Sequence, residues 1–338
     1  MTATARRVRY AVVGLGHIAQ AAVLPAFSGA AANSELTAVV SSDPAKRQAI
    51  AAQYGVAASF SYDDYDTCLQ SVDAVYLTLP NRLHAEYGIR AAAANVHVLC
   101  EKPLAVTIDE CRRMIAAARD HRVKLMVAYR LHFEELTHTV QQLVHAGRIG
   151  DPRFFTSSFA FSMSEGNSRT EPLSSGGGTL YDIGVYCINA ARHLFKSEPT
   201  EVLAIEGHGG ATHLARIDES TAAILRFDGG RLASFITSFN TAGVGWYEIV
   251  GTRGRIRVDP AFTYREALAY ELTVDGQTEQ HRADHRDQFA DQLRHFSDCV
   301  LQGREPESPG EEGLRDVAVI AALLESAKSG STIRLQPI

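Results

Sequence analysis

The chain of 338 residues has few cysteines, little excess charge and no long apolar run, and each shortage excludes a class of protein. Its five cysteines are scattered, and no two stand at metal-ligand spacing, so neither a disulfide framework nor a zinc site is indicated. A formal charge of −6 gives no broad attraction for nucleic acid. No apolar run approaches the roughly 20 residues that span a bilayer. We therefore expect a cytoplasmic protein without metal, nucleic-acid or membrane partners.

The length of 338 residues favours two domains. Residues 1–9 carry arginines but lead directly into a strand pattern, so we expect neither a signal peptide nor a twin-arginine leader. Strand and helix patterns then alternate up to residue 128, which predicts a parallel, doubly wound Rossmann sheet. The apolar strands of this half are nearly continuous, as expected for a sheet covered on both faces.

A glycine-rich turn joins the first predicted strand to the first predicted helix. The motif is Gly14-x-Gly16-x-x-Ala19, with His17 and Ile18 inside it. Gly14 permits a tight turn, Gly16 admits a pyrophosphate, and the helix start supplies N–H donors to phosphates. A dinucleotide site at residues 14–18 is therefore predicted.

The end of the second strand bears on the choice between NAD and NADP. Ser41 and Ser42 precede Asp43, and Lys46 follows one helical turn later. An acid at this edge accepts from ribose hydroxyls, whereas hydroxyls and a cation favour a 2′-phosphate. Asp43 before a proline is also a good helix N-cap. We expect NADP, with NAD as the alternative.

The fourth strand pattern runs into Glu101-Lys102-Pro103. The residue before a proline is disfavoured in helical geometry, so Lys102 lies at a bend beyond the strand. In an open α/β sheet, ligands bind at the carboxyl ends of the strands. Either Lys102 is aimed at such a site, or it is a surface lysine at an ordinary turn.

The segment after the third strand pattern holds further candidate cofactor contacts. Leu79, Pro80, Asn81 and His84 follow the strand at the edge where a nicotinamide would cross the sheet. A turn followed by a helix cap explains the same residues.

Residues 129–338 change pattern and predict an α+β domain with a large, mostly antiparallel sheet. Its closing amphipathic helix, residues 310–330, has a buried stripe and can pack back on the first domain. Tyr129, Arg130 and His132 stand at the junction. They are candidate site residues or a hinge cluster.

One helix in this half, residues 179–195, is apolar except for a narrow polar stripe. At 100° per residue, Asp182, Tyr186, Asn189 and His193 fall on one side. Such a stripe faces either water or a polar cleft. The preceding glycines, residues 176–178, indicate close approach to a ligand or to another backbone and favour the cleft.

Together these motifs resemble the glucose-fructose oxidoreductase/inositol dehydrogenase (Gfo/Idh/MocA) family over the whole chain, closest to the glucose-fructose oxidoreductase and aldose dehydrogenase branch. The resemblance rests on the glycine turn, on Glu101-Lys102-Pro103, and on Asp182-x-Gly184-x-Tyr186-x-x-Asn189. It implies hydride transfer between a nicotinamide and a sugar, from aldose to lactone or in the reverse direction. Association as a homodimer or homotetramer through the second-half sheet is also implied.

The resemblance assigns roles residue by residue. Tyr186 is implied as the general acid/base, helped by Lys102, because a free phenol with a pKa of about 10 is a poor base at neutral pH. Asp182 is implied as a further catalytic or substrate residue. Tyr129, Asn189 and Lys102 join the substrate contacts, and Glu101, Lys102 and Arg130 join the cofactor contacts.

Several alternatives stay open. Trans-dihydrodiol or cyclitol dehydrogenases belong to the same family, and an NADP(H)-binding sensor without turnover is a different class. A zinc hydrolase can be argued only from the spacing of His281 and His285, with no glutamate base between them.

Overall fold

The computed structural model describes residues 6–337 and divides the chain into two units. Unit 1 holds the residues up to 133 together with 287–314, and unit 2 holds 134–286 and 315–338. This differs from the expected boundary after residue 128, because residues 287–314 return to unit 1. Buried contacts within unit 1 explain the return: Ser297 bonds the hydroxyl of Tyr10 at 2.7 Å, and Ala290 packs against Gly29.

Unit 1 contains a six-stranded parallel sheet with the strand order β3-β2-β1-β4-β5-β6, which confirms the expected Rossmann sheet. Its strands are β1 Val8–Val13, β2 Ser34–Val40, β3 Ala58–Phe60, β4 Ala74–Leu77, β5 His97–Cys100 and β6 Leu125–Val127. Between them lie α1 Leu24–Gly29, α2 Pro44–Tyr54, α3 Tyr65–Leu69, α4 His84–Ala93 and α5 Ile108–Asp120.

The central strands are apolar because both faces of the sheet are covered. Every residue of β4 is buried, for example. Two of the helices between the strands begin at polar caps: Asp43 caps α2, and the Thr107 hydroxyl and the Glu110 carboxylate form a capping box at the start of α5. Because parallel strands end at the same edge, the turns after β1, β2, β4 and β5 share one side of the sheet.

Unit 2 contains a nine-stranded sheet with the order β14-β13-β12-β11-β7-β10-β9-β8-β15. Neighbouring strands are antiparallel except β7 and β10, so the expected, mostly antiparallel sheet is confirmed. The elements are α6 Glu135–His145, β7 Pro152–Ala160, α7 Val185–Phe195, β8 Pro199–Gly207, β9 Ser220–Phe227, β10 Leu232–Ser238, β11 Val244–Gly251, β12 Gly254–Val258, β13 Ala269–Val274, β14 Gln277–Arg282, α8 Gln288–Gln302 (in unit 1), α9 Gly310–Ser329 and β15 Ile333–Arg334.

The division between the units falls inside α9, after Leu314. The sequence patterns do not indicate β3, α3, β13, β14, β15 or α8. The periodic apolar residues of α8, such as Phe289, Leu293 and Phe296, could have revealed it. Over residues 6–337, no helix combines the length and apolarity that crossing a bilayer requires.

Candidate functional site

The glycine turn of unit 1 has the geometry that a dinucleotide needs. Gly14 adopts a φ of +95°, and a Cβ there would lie 2.8 Å from the carbonyl oxygen of Thr78. A Cβ at Gly16 would meet nothing within 4 Å, so the space above this residue is open. The Thr78 hydroxyl donates to the carbonyl oxygen of Gly14 at 2.5 Å and fixes the turn. Sequence reasoning missed Thr78, which belongs to a different strand end.

The helix after this turn begins with a π-helical segment, Ala19–Val23, before α1. Wider π turns are rare and often mark functional sites. His17 is exposed and Ile18 is half-buried, so both predicted contacts lie at the surface of the turn.

In the turn after β2, the sequence left open whether the polar residues cap the helix or contact the cofactor. Asp43 caps α2 by accepting from the backbone N–H of Lys46 at 3.0 Å, as the alternative reading expected. The Lys46 side chain is exposed. Arg47 instead reaches back, and its guanidinium donates to the carbonyl oxygen of Ser41 at 2.8 Å. The sequence interpretation named Lys46 at this turn and did not consider Arg47.

The residues at this edge fit a dinucleotide with a 2′-phosphate. The open space at Gly16 admits a pyrophosphate, and the Arg47 guanidinium with the exposed Ser42 offers a cation and a hydroxyl beyond β2. Asp43 already accepts a capping hydrogen bond, so its carboxylate is turned to the helix.

Lys102 follows β5 and is half-buried, and its peptide bond to Pro103 is cis. The preceding Glu101 accepts from the Tyr76 hydroxyl at 2.9 Å, and Tyr76 in turn accepts from the Gln292 amide at 2.8 Å. Both Tyr76 and Gln292 are fully buried. These hydrogen bonds from Gln292 to Tyr76 and from Tyr76 to Glu101 therefore fix the residue that precedes Lys102.

His84 connects two loops rather than facing outward. Its ring is fully buried, with Nδ1 2.9 Å from the carbonyl oxygen of Pro103 and Nε2 2.9 Å from that of Leu79. Burial lowers the pKa of His84. Both ring nitrogens face backbone carbonyls, so this geometry does not support a direct cofactor contact. Pro80 and Asn81 are half-buried and Leu79 is buried.

The residues after β6 are packed inside unit 1. Arg130 is buried and donates to the Gln288 side-chain oxygen at 2.6 Å. Tyr129 and His132 are both buried and stack with ring centroids 5.4 Å apart. Their predicted contacts with cofactor or substrate remain predictions.

In unit 2, the helix expected over residues 179–195 consists of two parts. Leu180–Gly184 is π-helical and α7 follows. Asp182 lies in the π-helical part, so the spacing of 100° per residue that a regular α-helix has does not apply there. Asp182 is buried, and its carboxylate lies 2.7 Å from the Arg169 guanidinium. Arg169 lies 13 positions earlier in a 3-10 turn, Ser168–Thr170, which no periodicity indicates.

Tyr186 is half-buried in the first turn of α7. Its ring meets Phe159 edge-on at 5.6 Å and Phe262 at 5.9 Å, centroid to centroid. Two phenyl rings therefore fix the direction of the phenol.

The later polar residues of α7 serve packing within unit 2. The Asn189 amide donates to Asp316 at 2.9 Å, and Arg192 pairs with the same fully buried carboxylate. Arg192 also bonds Glu198 at 2.6 Å. This engagement does not support the expected substrate contact of Asn189.

The glycines before this helix approach protein rather than open space. A Cβ at Gly177 would lie 1.8 Å from the carbonyl oxygen of Glu171, and one at Gly178 would lie 1.8 Å from Asp218 Oδ1. Of the two explanations for the glycine run, close approach to neighbouring protein groups is the one observed.

The spacing argument for zinc fails on geometry. His281 lies in β14 and stacks on Tyr270 at 4.6 Å, while His285 follows the strand, so the two do not share a helix face. In the part of the chain that the structure describes, no three His, Cys, Asp or Glu side chains are grouped to hold a metal.

Comparisons with known proteins agree with both units. Residues 8–129 match the model of the Gfo/Idh/MocA oxidoreductase family with an NAD-binding Rossmann fold, and residues 137–257 match the model of the Gfo/Idh/MocA C-terminal domain. The chain is 32% identical to a D-xylose 1-dehydrogenase [NADP(+)] of Haloarcula marismortui, over 99% of this chain and 95% of the relative.

The chain is also similar to a sugar-nucleotide reductase and to an oxidoreductase of known structure. A dTDP-3,4-didehydro-2,6-dideoxy-alpha-D-glucose 3-reductase of Saccharopolyspora spinosa is 31% identical, over 96% of this chain and 99% of the relative. Among solved structures, the aldose-aldose oxidoreductase of Caulobacter crescentus complexed with glycerol aligns with a TM-score of 0.92 and 34% identity, over 98% of this chain and 100% of that one.

Proposed function

The chain belongs to the Gfo/Idh/MocA family of oxidoreductases, and we propose that it transfers hydride between NADP and the anomeric carbon of a free aldose. The proposed use of NADP rests on the open glycine turn together with Arg47 beyond β2. The free-sugar half is supported by the similarity to NADP-dependent D-xylose 1-dehydrogenases and to an aldose-aldose oxidoreductase.

The bound nicotinamide supplies the hydride acceptor at its ring, and the protein supplies proton transfer and orientation. We propose that Tyr186 takes the O1 proton while C1 of the pyranose is oxidised to the lactone. Phe159 and Phe262 hold the phenol in one direction, which general acid–base catalysis requires. By the family resemblance, Lys102 is assigned the role of assisting this proton transfer.

Asp182 is proposed to accept from a second sugar hydroxyl. Its pairing with Arg169 keeps the carboxylate in one orientation. Glu101 supports Lys102 through the chain from Gln292 and Tyr76.

We further propose that the protein works as a homodimer or homotetramer in the cytoplasm, where its five buried, free cysteines stay reduced. One face of the unit 2 sheet exposes large apolar side chains. Ile205, Ile224 and Ile236 are 69%, 49% and 55% exposed on the adjacent strands β8, β9 and β10. Such a contiguous apolar face is typical of a subunit interface.

The test begins with the purified protein, whose bound nucleotide is released by denaturation and identified. Absorbance of reduced nicotinamide is then followed with aldoses, cyclitols, dihydrodiols and dTDP-sugars, using NADP and NAD in parallel. Reduction of NADP by an aldose supports the proposal. Turnover confined to another substrate class would assign the enzyme there, and tight NADP(H) binding without turnover would indicate a sensor.

A further inference from the structure

The start of the helix that carries Asp182 and Tyr186 is held by a carboxylate from a distant part of unit 2. Asp218 lies between Leu214 and β9 and is fully buried. One of its oxygens accepts from the backbone N–H of Thr179 at 2.9 Å. The other accepts from the N–H of Leu180 at 2.9 Å.

Hydroxyl groups complete the shell around this carboxylate. The hydroxyls of Thr179 and Thr221 donate to Asp218 at 2.6 and 3.1 Å. Thr179 is also 2.8 Å from the Thr237 hydroxyl on β10. Gly178 is required beside it, because a Cβ there would lie 1.8 Å from Asp218 Oδ1. Within residues 6–337, Asp218 forms no salt bridge, so a single buried charge depends on these donors alone.

Asp218 therefore caps the start of this helix from a distant position in the same chain. The first N–H groups of a helix lack partners inside it, and a carboxylate there is favoured by the helix dipole. Thr179 offers no cap of its own, since its side chain makes no capping bond to the helix. Asp218 thus sets where the π-helical segment begins, two residues before Asp182 in the chain.

We propose that Asp218 is a positioning residue, which acts through the π-helical start of its helix to orient Asp182 and Tyr186. It does not touch substrate. The inference rests on the proposed function of Tyr186, and it adds a pH dependence to it. Burial raises the pKa of Asp218 to about 6. Protonation below that pH removes acceptor capacity from one oxygen and weakens the cap.

The charged neighbours that bear on this titration are few. Glu206 on β8 raises the pKa of Asp218 further through its charge. Glu219, the next residue, is buried but accepts from the Asn240 amide. On the helix itself, Asp182 is paired with Arg169. No cation among these groups faces Asp218 to oppose its protonation.

The test compares the wild type with Asp218→Asn, which imitates the protonated acid. Hydrogen exchange of backbone amides is measured without substrate from pH 5 to 8. We expect protection of residues 179–184 to fall in the wild type below about pH 6 and to be low at every pH in Asp218→Asn. In Asp218→Asn, we expect kcat at pH 8 to be about 10- to 100-fold lower than in the wild type, with little change in KM for NADP. The decrease of kcat that the wild type should show below about pH 6, the acid limb of its pH profile, should be absent in this variant.

Glu219→Gln is the matched control, because it neutralises the adjacent buried carboxylate and should leave both readouts unchanged. Thr221→Val, which removes one donor and keeps the carboxylate, serves if Asp218→Asn does not fold, and should shift the acid limb upward. Unchanged protection and pH profile in these variants would overturn the proposal. If protection changes in the variants but the protein turns over no sugar, the proposed function is refuted, whereas the inference that Asp218 caps the helix stands.

Discussion

The loop after β5 in unit 1 and the helix that carries Tyr186 in unit 2 are each held by one fully buried titratable side chain, His84 and Asp218. His84 bonds a carbonyl only five residues away and another 19 residues away. Asp218 reaches a helix start 39 residues before it. Lys102, which is proposed to react, is therefore held by loops close to it in the chain, whereas the position of Tyr186 depends on a residue far away in the chain. Changes in the two anchors should accordingly have different consequences.

The largest effect is expected at the proposed reactive side chains themselves. Lys102→Ala and Tyr186→Phe should each lower kcat by about 100-fold or more, the loss typical of removed acid–base help. Steady-state kinetics with an aldose measures this, and NADPH binding by fluorescence is the control. Near-wild-type turnover in either variant would remove that residue from the mechanism.

The next effect tests the anchor of unit 1. His84→Phe removes the ring nitrogens and leaves the carbonyls of Leu79 and Pro103 without their shared partner, which should cost about 1–3 kcal/mol of unfolding free energy. Turnover should fall as well, because the loop that carries Lys102 loses its contact with the His84 ring at Pro103. Denaturant unfolding provides the measurement. The exposed His121→Phe should change neither, and an unaffected His84→Phe would show that the tie is dispensable.

Cofactor choice should shift by a smaller factor. Arg47→Ala should raise KM for NADP about 10-fold and leave KM for NAD unchanged, because a charge-assisted bond to the 2′-phosphate is lost. Lys46→Ala is the matched neighbour and should change little. If the two variants exchange their effects, the sequence-based choice of Lys46 was right.

The smallest effect on the folded chain is expected on the open sheet face. Ile236→Lys should dissociate the oligomer in sedimentation velocity, while unfolding free energy stays within about 0.5 kcal/mol per chain. Thr278→Lys, on the exposed β14, serves as the control. An oligomer that persists in Ile236→Lys would place the interface elsewhere.

The sequence predicted those features of the fold and of the site that depend on residues close together in the chain. The tight turn at Gly14 and the alternation of helices with β1, β2, β4, β5 and β6 follow from local pattern, and the structure agrees. Arg47, which is proposed to face the 2′-phosphate, stands one position after the Lys46 that the sequence favoured, since a helix start can present either of two adjacent cations. Arg169 and Asp218 could not be found, because their partners lie 13 and 39 positions away. The π-helical turn at residues 180–184 also changes the angular spacing that a helical wheel assumes.

Hydride transfer from the sugar to NADP is tested most directly by isotope tracing. The protein is mixed with NADP and D-xylose deuterated at C1, and the reduced cofactor is examined by mass spectrometry. We predict NADPH that carries one deuterium per turnover, with a lactone as product. Reduced cofactor without deuterium, or no reduced cofactor with any aldose of the panel, would contradict the account.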